Sequence, residues 1–254
     1  MLIPQQVGHA RGWHKTFFST HNTLQRQSTL LDQLEASADL AESRVKSAQN
    51  DKITTTLADT PNLFNAELKI LTDKDIIKKI ETMFLESLNQ RHDSKRMKPV
   101  KFYEVTLHDA KAAFENDGAK FDNIQLLWHG TRMFNVLSIL KNGFLLPKAL
   151  STMQICGALF GNGLYFSDQS TKSLNYSRGG TWDHGAIDKA CFMFLVDVSM
   201  GKSYTPKNSY ETLPKPGYDS TFAKANQSGV LNNEMIIYRL SQANIRYLIE
   251  FEEK

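Results

Sequence analysis

A carboxylate opens a strongly apolar strand in "LNNEMIIYRL". Strand alternation puts Glu234, Ile236 and Tyr238 on one face and Met235 and Ile237 on the other. A carboxylate that shares a face with Ile and Tyr is costly unless it has partners or a task. Three further stretches carry side chains able to do chemistry. "LLWHGT" ends an apolar strand on His129 and the bare backbone of Gly130, followed by Thr131. "GALFGNGLYFSD" places Gly157, Gly161 and Gly163 before a strand holding Tyr165. "TKSLNYSRGG" sets Ser173 and Tyr176 three residues apart, on one face of a helical turn. Each has an ordinary structural reading: a satisfied histidine, tight turns, a packed tyrosine. Glu234 fits such a reading least well.

Several chemistries are set aside at once. The glycine spacing matches neither a dinucleotide fingerprint nor a phosphate-binding loop, since no Gly-Lys-Ser/Thr follows. There is no G-x-S-x-G elbow and no HExxH. A glycosidase needs a second carboxylate opposite the first. Asp168 is the only acid near these motifs, and no sequence signal marks it as a partner.

The elements that must position these residues come mostly from the second half of the chain. "KFYEVTL", "IQLLWHG", "GLYFS", "CFMFLVDVSM" and "NEMIIYRL" carry the β-branched and aromatic residues that strands favour. "MFNVLSILKNGF" reads as one short helix ended by Gly143. Between Gly201 and Asn232 a stretch rich in Pro, Gly, Ser, Lys and Asn reads as a long functional or mobile loop. Upstream, "DKDIIKKIETMFLESLNQ" predicts a helix capped by Asp73 or Asp75. "RHDSKRMKPVK" reads as a basic, solvated loop, a weak candidate for nucleic-acid contact because its cations lack interleaved aromatics. "STLLDQLEASADLAESRVKSAQ" has the spacing of an amphipathic helix with Ser28 or Thr29 as N-cap. "NDKITTTLADTPN" then reads as a linker. The organisation is a helical segment over residues 1–58 and a strand-rich domain over 59–254. Helices followed by strands predict an α+β architecture.

The bulk numbers bound the rest. The 254 residues suffice for one large domain, or one with a smaller attachment. Apolar content of 41% and charged content of 22% are those of an ordinary globular protein. A net charge of +3 permits a polyanionic partner without arguing for one. No apolar run reaches the roughly 18 residues of a membrane helix, and the first residues lack the apolar core of a secretory signal. Cys156 and Cys191 are too few for a disulfide framework and read as reduced thiols of an intracellular protein. No clustered Cys and His suggests a metal, and none is expected.

Taken in order, "LLWHGTR", "FGNGLYFSDQSTKSLNY" and "LNNEMIIY" resemble the His, Tyr and Glu strands of the poly(ADP-ribose) polymerase catalytic domain, one of the diphtheria-toxin-like ADP-ribosyltransferases. The resemblance runs from about Asn62 to Phe251. "LIPQQVG" and "STLLDQLEASADLAES" extend it weakly, resembling the last part of the helical regulatory subdomain of DNA-damage-responsive members. The opening helices of that subdomain are not in the sequence, which implies activity without DNA. The implied fold is two packed, mainly antiparallel sheets with flanking helices. The implied activity is transfer of ADP-ribose from NAD+, as co-substrate, to protein acceptors including itself, with release of nicotinamide and the capacity to build poly(ADP-ribose). Alternatives are single ADP-ribose transfer to protein or to nucleic-acid ends, and a non-catalytic NAD+ or ADP-ribose binding module. DNA contact would come through upstream domains or the basic surface. A nuclear location follows for a eukaryote, a cytoplasmic one for a bacterium or virus.

The resemblance also implies roles. Glu234 would face the positive charge that develops on the sugar, bind the nicotinamide-ribose 2′-hydroxyl and polarise the acceptor. Gly130 would offer its N–H and C=O to the carboxamide, with Ser173 adding a hydroxyl. Tyr176 would stack on the nicotinamide and Tyr165 would line the pocket beside it. His129, helped by Thr131, would bind the adenosine ribose. His129, Tyr165 and Glu234 form the catalytic set. Four positions depart from the family's common pattern: Asn162 for a Lys of chain-elongating members, Ala158 for a donor-loop tyrosine, Leu145 for an adenine-side arginine, and Asn232 for an acceptor-side aromatic. None belongs to the His-Tyr-Glu set.

Overall fold

The computed structural model describes residues 66–146, 159–179, 187–188 and 190–253. The helical segment expected over residues 1–58 lies outside them, as do Cys156, Gly157 and Ala158. Two sheets carry the architecture. The larger has five antiparallel strands in the order β1 (Ala66–Ile70), β2 (Met97–Leu107), β9 (Ala243–Glu253), β5 (Ala190–Ser199), β3 (Ile124–Gly130). The smaller has the order β4 (Leu164–Phe166), β8 (Glu234–Ile237), β7 (Ser220–Ala223), β6 (Ser203–Tyr204), antiparallel except for β6 beside β7. Among the described residues four helices flank them: α1 (Lys74–Glu86), α2 (His108–Asn116), α3 (Met133–Asn142) and α4 (Ser170–Arg178). The predicted α+β class with two mainly antiparallel sheets is what the chain forms.

Alternation sorts the core into layers. On one face of the large sheet Leu127, Phe194, Val196, Val198 and Ile245 meet Leu164, Phe166, Met235 and Ile237 of the small sheet, with Val136 and Leu140 of α3. On the other face Trp128, Met193, Leu195, Ile249 and Phe251 are covered by Ile80 and Phe84 of α1 and Leu174 of α4. The outer face of the small sheet packs Ile236 and Ala223 with Phe160 against Tyr165 and Tyr238. β8 therefore divides as its alternation predicts, Met235 and Ile237 inward between the sheets and Ile236 outward. Burying fully a side chain such as Phe194 or Ile237 is worth about 1.5–3 kcal/mol, so this inter-sheet layer fixes where β3 and β8 end.

Local signals account for the helices. Asp73 caps α1, its Oδ1 accepting from the N–H groups of Asp75 and Ile76 at 2.9 and 3.1 Å. α3 spans the predicted residues and ends at Gly143, whose φ of +73° favours glycine. Three expectations need correction. The basic segment is solvated only in part: Asp93–Arg96 forms a 3-10 turn, and β2 begins at buried Met97, with a register shift between Pro99 and Lys101 that accommodates the proline. The stretch from Gly201 to Asn232 is not one loop, because β6 and β7 pair within it. β1, α2 and the central strand β9 lie where no element was expected. β1 is an edge strand with Leu68 and Ile70 exposed, and α2 buries only Phe114.

Candidate functional site

The site begins at the open edge of the large sheet. β3 is the last strand, paired on one side with β5, Gly130 opposite Met193. Antiparallel pairing alternates residues that bond across the ladder with residues whose N–H and C=O point away from it. Trp128 belongs to the second kind. Its N–H donates to Ser167 O and its C=O accepts from Ser167 N–H, both at 3.0 Å, which ties β3 to the end of β4. Gly130, two residues on, aims its N–H and C=O to that same edge. The absence of a side chain there has a packing cause: a Cβ on Gly130 would lie 1.7 Å from the carbonyl oxygen of Ser173. Helix α4 thus approaches β3 as closely as only glycine permits, and the close approach leaves one donor and one acceptor side by side.

His129 and Tyr165 are joined directly. His129 Nδ1 donates to the backbone oxygen of Tyr165 at 2.8 Å. That bond fixes the tautomer and leaves Nε2 as an acceptor. The ring packs against Phe144 and Phe166 at centroid distances of 4.9 and 5.6 Å. Burial holds its pKa below the ordinary histidine value, so the neutral ring is favoured. The hydroxyl of Tyr165 donates to Gly161 O and accepts from Phe160 N–H, each at 2.8 Å. It therefore braces the turn before β4, and burial pushes its pKa up. With its hydroxyl committed, only the ring of Tyr165 is available for the pocket-lining role expected of it.

α4 is a polar helix that is buried nearly all round. Ser170, Thr171, Lys172, Ser173, Asn175, Ser177 and Arg178 are all buried with Leu174. Hydrogen bonds hold it where an apolar stripe otherwise would. Ser170 Oγ donates to Phe84 O at 2.8 Å, Ser94 Oγ to Thr171 O at 3.0 Å, and Ser173 Oγ to Trp128 O at 3.0 Å. Ser173 thereby spends its donor but keeps lone pairs for an amide N–H. Thr131 N–H donates to Ser177 Oγ at 3.2 Å, and Thr131 Oγ1 accepts from Asn135 Nδ2 at 2.9 Å. Tyr176 lies near enough to Tyr165 to disfavour that residue's phenolate.

Glu234 joins this group through a residue that sequence reasoning missed. It opens β8, is 8% exposed, and its Oε1 pairs with Lys172 Nζ at 2.8 Å. Lys172 also donates to Asn233 O at 3.1 Å. Burial lowers the pKa of Lys172, and Glu234 and then Asp168 oppose that shift. The second oxygen, Glu234 Oε2, is buried with no hydrogen-bond partner. An anionic oxygen that is desolvated and unpartnered suits a ligand hydroxyl or a developing positive charge. Asp168 precedes the N-cap Gln169 of α4, so no helical spacing marks it beside Lys172 in the sequence. All six predicted positions beyond Glu234 fall at the end of β3 (His129, Gly130, with Thr131 just past it), on β4 (Tyr165) and on α4 (Ser173, Tyr176). Of the departures, Asn162 and Leu145 are exposed, and Asn232 Oδ1 accepts from Asn89 Nδ2 at 3.4 Å. Among the described residues no group of three or more His, Cys, Asp or Glu is arranged to hold a metal, and no helix is long and apolar enough to cross a membrane.

Residues 74–253 match the family model of the poly(ADP-ribose) polymerase catalytic domain. The mouse protein mono-ADP-ribosyltransferase PARP4 is 31% identical over 142 residues, 52% of this chain and 7% of that protein. A putative poly(ADP-ribose) polymerase-like protein, 100L, of invertebrate iridescent virus 6 is 34% identical over 135 residues, 49% of this chain and 69% of its own. Human poly(ADP-ribose) polymerase 2 is 27% identical over 207 residues, covering 68% of this chain and 34% of that protein. The chain thus spans a small part of the mouse relative, a third of the human one and about two thirds of the viral one.

Proposed function

The chain belongs to the poly(ADP-ribose) polymerase catalytic-domain family, and on that premise we propose that it is an ADP-ribosyltransferase that uses NAD+, modifies protein acceptors including itself, and releases nicotinamide. One observation carries the reading: Glu234 is buried with one oxygen paired to Lys172 and the other unpartnered. NAD+ fits the neighbouring groups. A primary carboxamide needs one acceptor and one donor side by side, which Gly130 offers, and the Ser173 hydroxyl can accept the second amide N–H. Tyr176 is the stacking residue, worth about 0.5–1.5 kcal/mol. His129 Nε2 accepts from a hydroxyl of the adenosine ribose, with Thr131 beside it.

The chemistry breaks the bond between ribose C1′ and the nicotinamide nitrogen. Nicotinamide is cationic in NAD+ and leaves neutral with the bonding pair, so no general acid is required. Positive charge grows on the sugar, as in glycoside hydrolysis. Glu234 Oε2 faces that charge, orients the ribose 2′-hydroxyl and polarises the acceptor as it attacks C1′. Fixed charge of this kind contributes roughly 3–4 kcal/mol. Glu234→Gln is expected to lower NAD+ turnover on the order of 10²- to 10³-fold. Unchanged turnover would overturn the assignment.

Retention of Glu234 supports growth of the adduct into poly(ADP-ribose). Single-unit transfer is the second reading, supported by Asn232 and Leu145 in place of the family's acceptor-side aromatic and adenine-side arginine, and in keeping with the name of the mouse relative. Labelled NAD+ and a gel separate the two. A ladder supports polymer; one sharp shift supports single transfer.

A further inference from the structure

Asp168 is an acid that no sequence signal pairs; in the fold one of its oxygens has a hydrogen-bond partner and the other, Oδ1, is buried without one. Asn233 Nδ2 donates to Asp168 Oδ2 at 2.7 Å, and Asp168 is near enough to Lys172 to favour its ammonium form. Asn233 immediately precedes Glu234, and four contacts converge on it. Its Oδ1 accepts from Ala225 N–H at 2.9 Å, which fixes the orientation of the amide and leaves Nδ2 for the carboxylate. Its backbone oxygen accepts from Lys172 Nζ at 3.1 Å and from Ser167 Oγ at 3.4 Å.

We propose that Asp168 and Asn233 are positioning residues for Glu234: their hydrogen bond ties the end of β4 to the start of β8, and the Asp168 charge offsets Lys172. This rests on the reading of Glu234 as the carboxylate that faces the sugar. Glu234 and Lys172 alone form a neutral pair, with little net attraction for a developing cation. With Asp168 as a second carboxylate the cluster carries one net negative charge. Asn233 is clamped on its side chain and on its carbonyl, so the Cα of Glu234 is held from the residue before it.

NAD+ turnover of purified Asp168→Asn, Asn233→Ala, Asn233→Asp and Glu234→Gln chains tests this. Asp168→Asn keeps an acceptor for Asn233 and removes only charge. Its kcat should fall about tenfold, with KM within twofold of the native value. Asn233→Ala should lose on the order of 10²-fold in kcat, the scale of a 1 Å misplacement. Asn233→Asp sets two carboxylates together, which share a proton at a raised pKa. Its turnover relative to native should rise as pH falls from 8 to 6, a change that a merely structural residue would not give. Native kcat in Asp168→Asn and a flat relative pH profile in Asn233→Asp, with Glu234→Gln inactive, would overturn the positioning role alone. Full activity of Glu234→Gln would instead overturn the reading beneath it.

Discussion

Replacing Gly130 with alanine tests the claim that α4 and β3 meet as closely as backbones can. The added Cβ would sit 1.7 Å from Ser173 O, 2.5 Å from Ser173 C and 3.0 Å from Ser177 Oγ. Ordinary contact begins near 3.4 Å, so the carbonyl must retreat by about 1.7 Å, and it belongs to a helix backbone. Such overpacking costs about 3 kcal/mol, the upper end of the usual range. For a domain of this size that lowers Tm by about 6–12 °C. The retreat carries Lys172, Ser173 and Tyr176 with it, so turnover should fall at least about 100-fold. Gly118→Ala is the matched control: its Cβ would meet Ser241 O at 1.8 Å, but between elements that hold no site residue. Thermal denaturation and an NAD+ turnover assay at a temperature where both variants are folded separate the effects. Gly118→Ala should lose stability and keep its kcat. If Gly130→Ala stays as stable and active as the native chain, or if both variants lose kcat equally, the close-approach argument is wrong.

Lys172→Met strands Glu234 as a buried unpaired charge and should cost about 3–5 kcal/mol by urea denaturation; adding Glu234→Gln should restore much of that stability and none of the turnover. Tyr165→Phe removes the brace of the turn at Phe160 and Gly161 and should cost about 1–3 kcal/mol in the same measurement, and a native denaturation midpoint would contradict the brace. Burial lowers the pKa of both His129 and His92. The unfolded chain therefore binds more protons, so their contribution is complete above about pH 6.5 and is lost as pH falls below it. The denaturation midpoint should drop between pH 7.5 and 5.5, by less in a His92→Asn, His129→Asn chain; an equal drop in both chains would remove the histidines as its cause. Cys191 is fully buried and its thiol is pushed up to about 12; iodoacetamide should label it only after unfolding, as peptide mass spectrometry would reveal.

β5 is legible in the sequence because it is buried on both faces, and its continuous run "CFMFLVDVSM" leaves no other reading; β9, just as buried, follows "NEMIIYRL" without being read as a strand. β1 is not legible: it is five residues long, it sits at an edge, and Leu68 and Ile70 face solvent, so alternation carries no burial signal. α2 is hidden for a similar reason, because Phe114 is its one buried residue. At the site, His129, Tyr165 and Glu234 stand out as chemical types at strand ends. Lys172, Asp168 and Asn233 do not. A lysine inside "STKSLNYSR" reads as surface, and its burial depends on α4 being wedged beside β3 by hydrogen bonds that no periodicity encodes. Gly130 shows the same limit: its backbone role is suggested by the missing side chain, but the cause, a helix carbonyl pressed against it, is visible only in three dimensions.

The bridge between Trp128 and Ser167 bears on association as well as on chemistry. β3 ends its sheet, and an unpaired edge of apolar residues invites a strand from another molecule. The bridge occupies the middle of that edge, between the outward rungs of Leu126 and Gly130. No second chain can zip along it without breaking two backbone hydrogen bonds. Past the bridge a single rung remains before β3 ends, too little for a strand and enough for one amide. The feature that blocks this edge to a second strand also limits its last rung to a small planar partner.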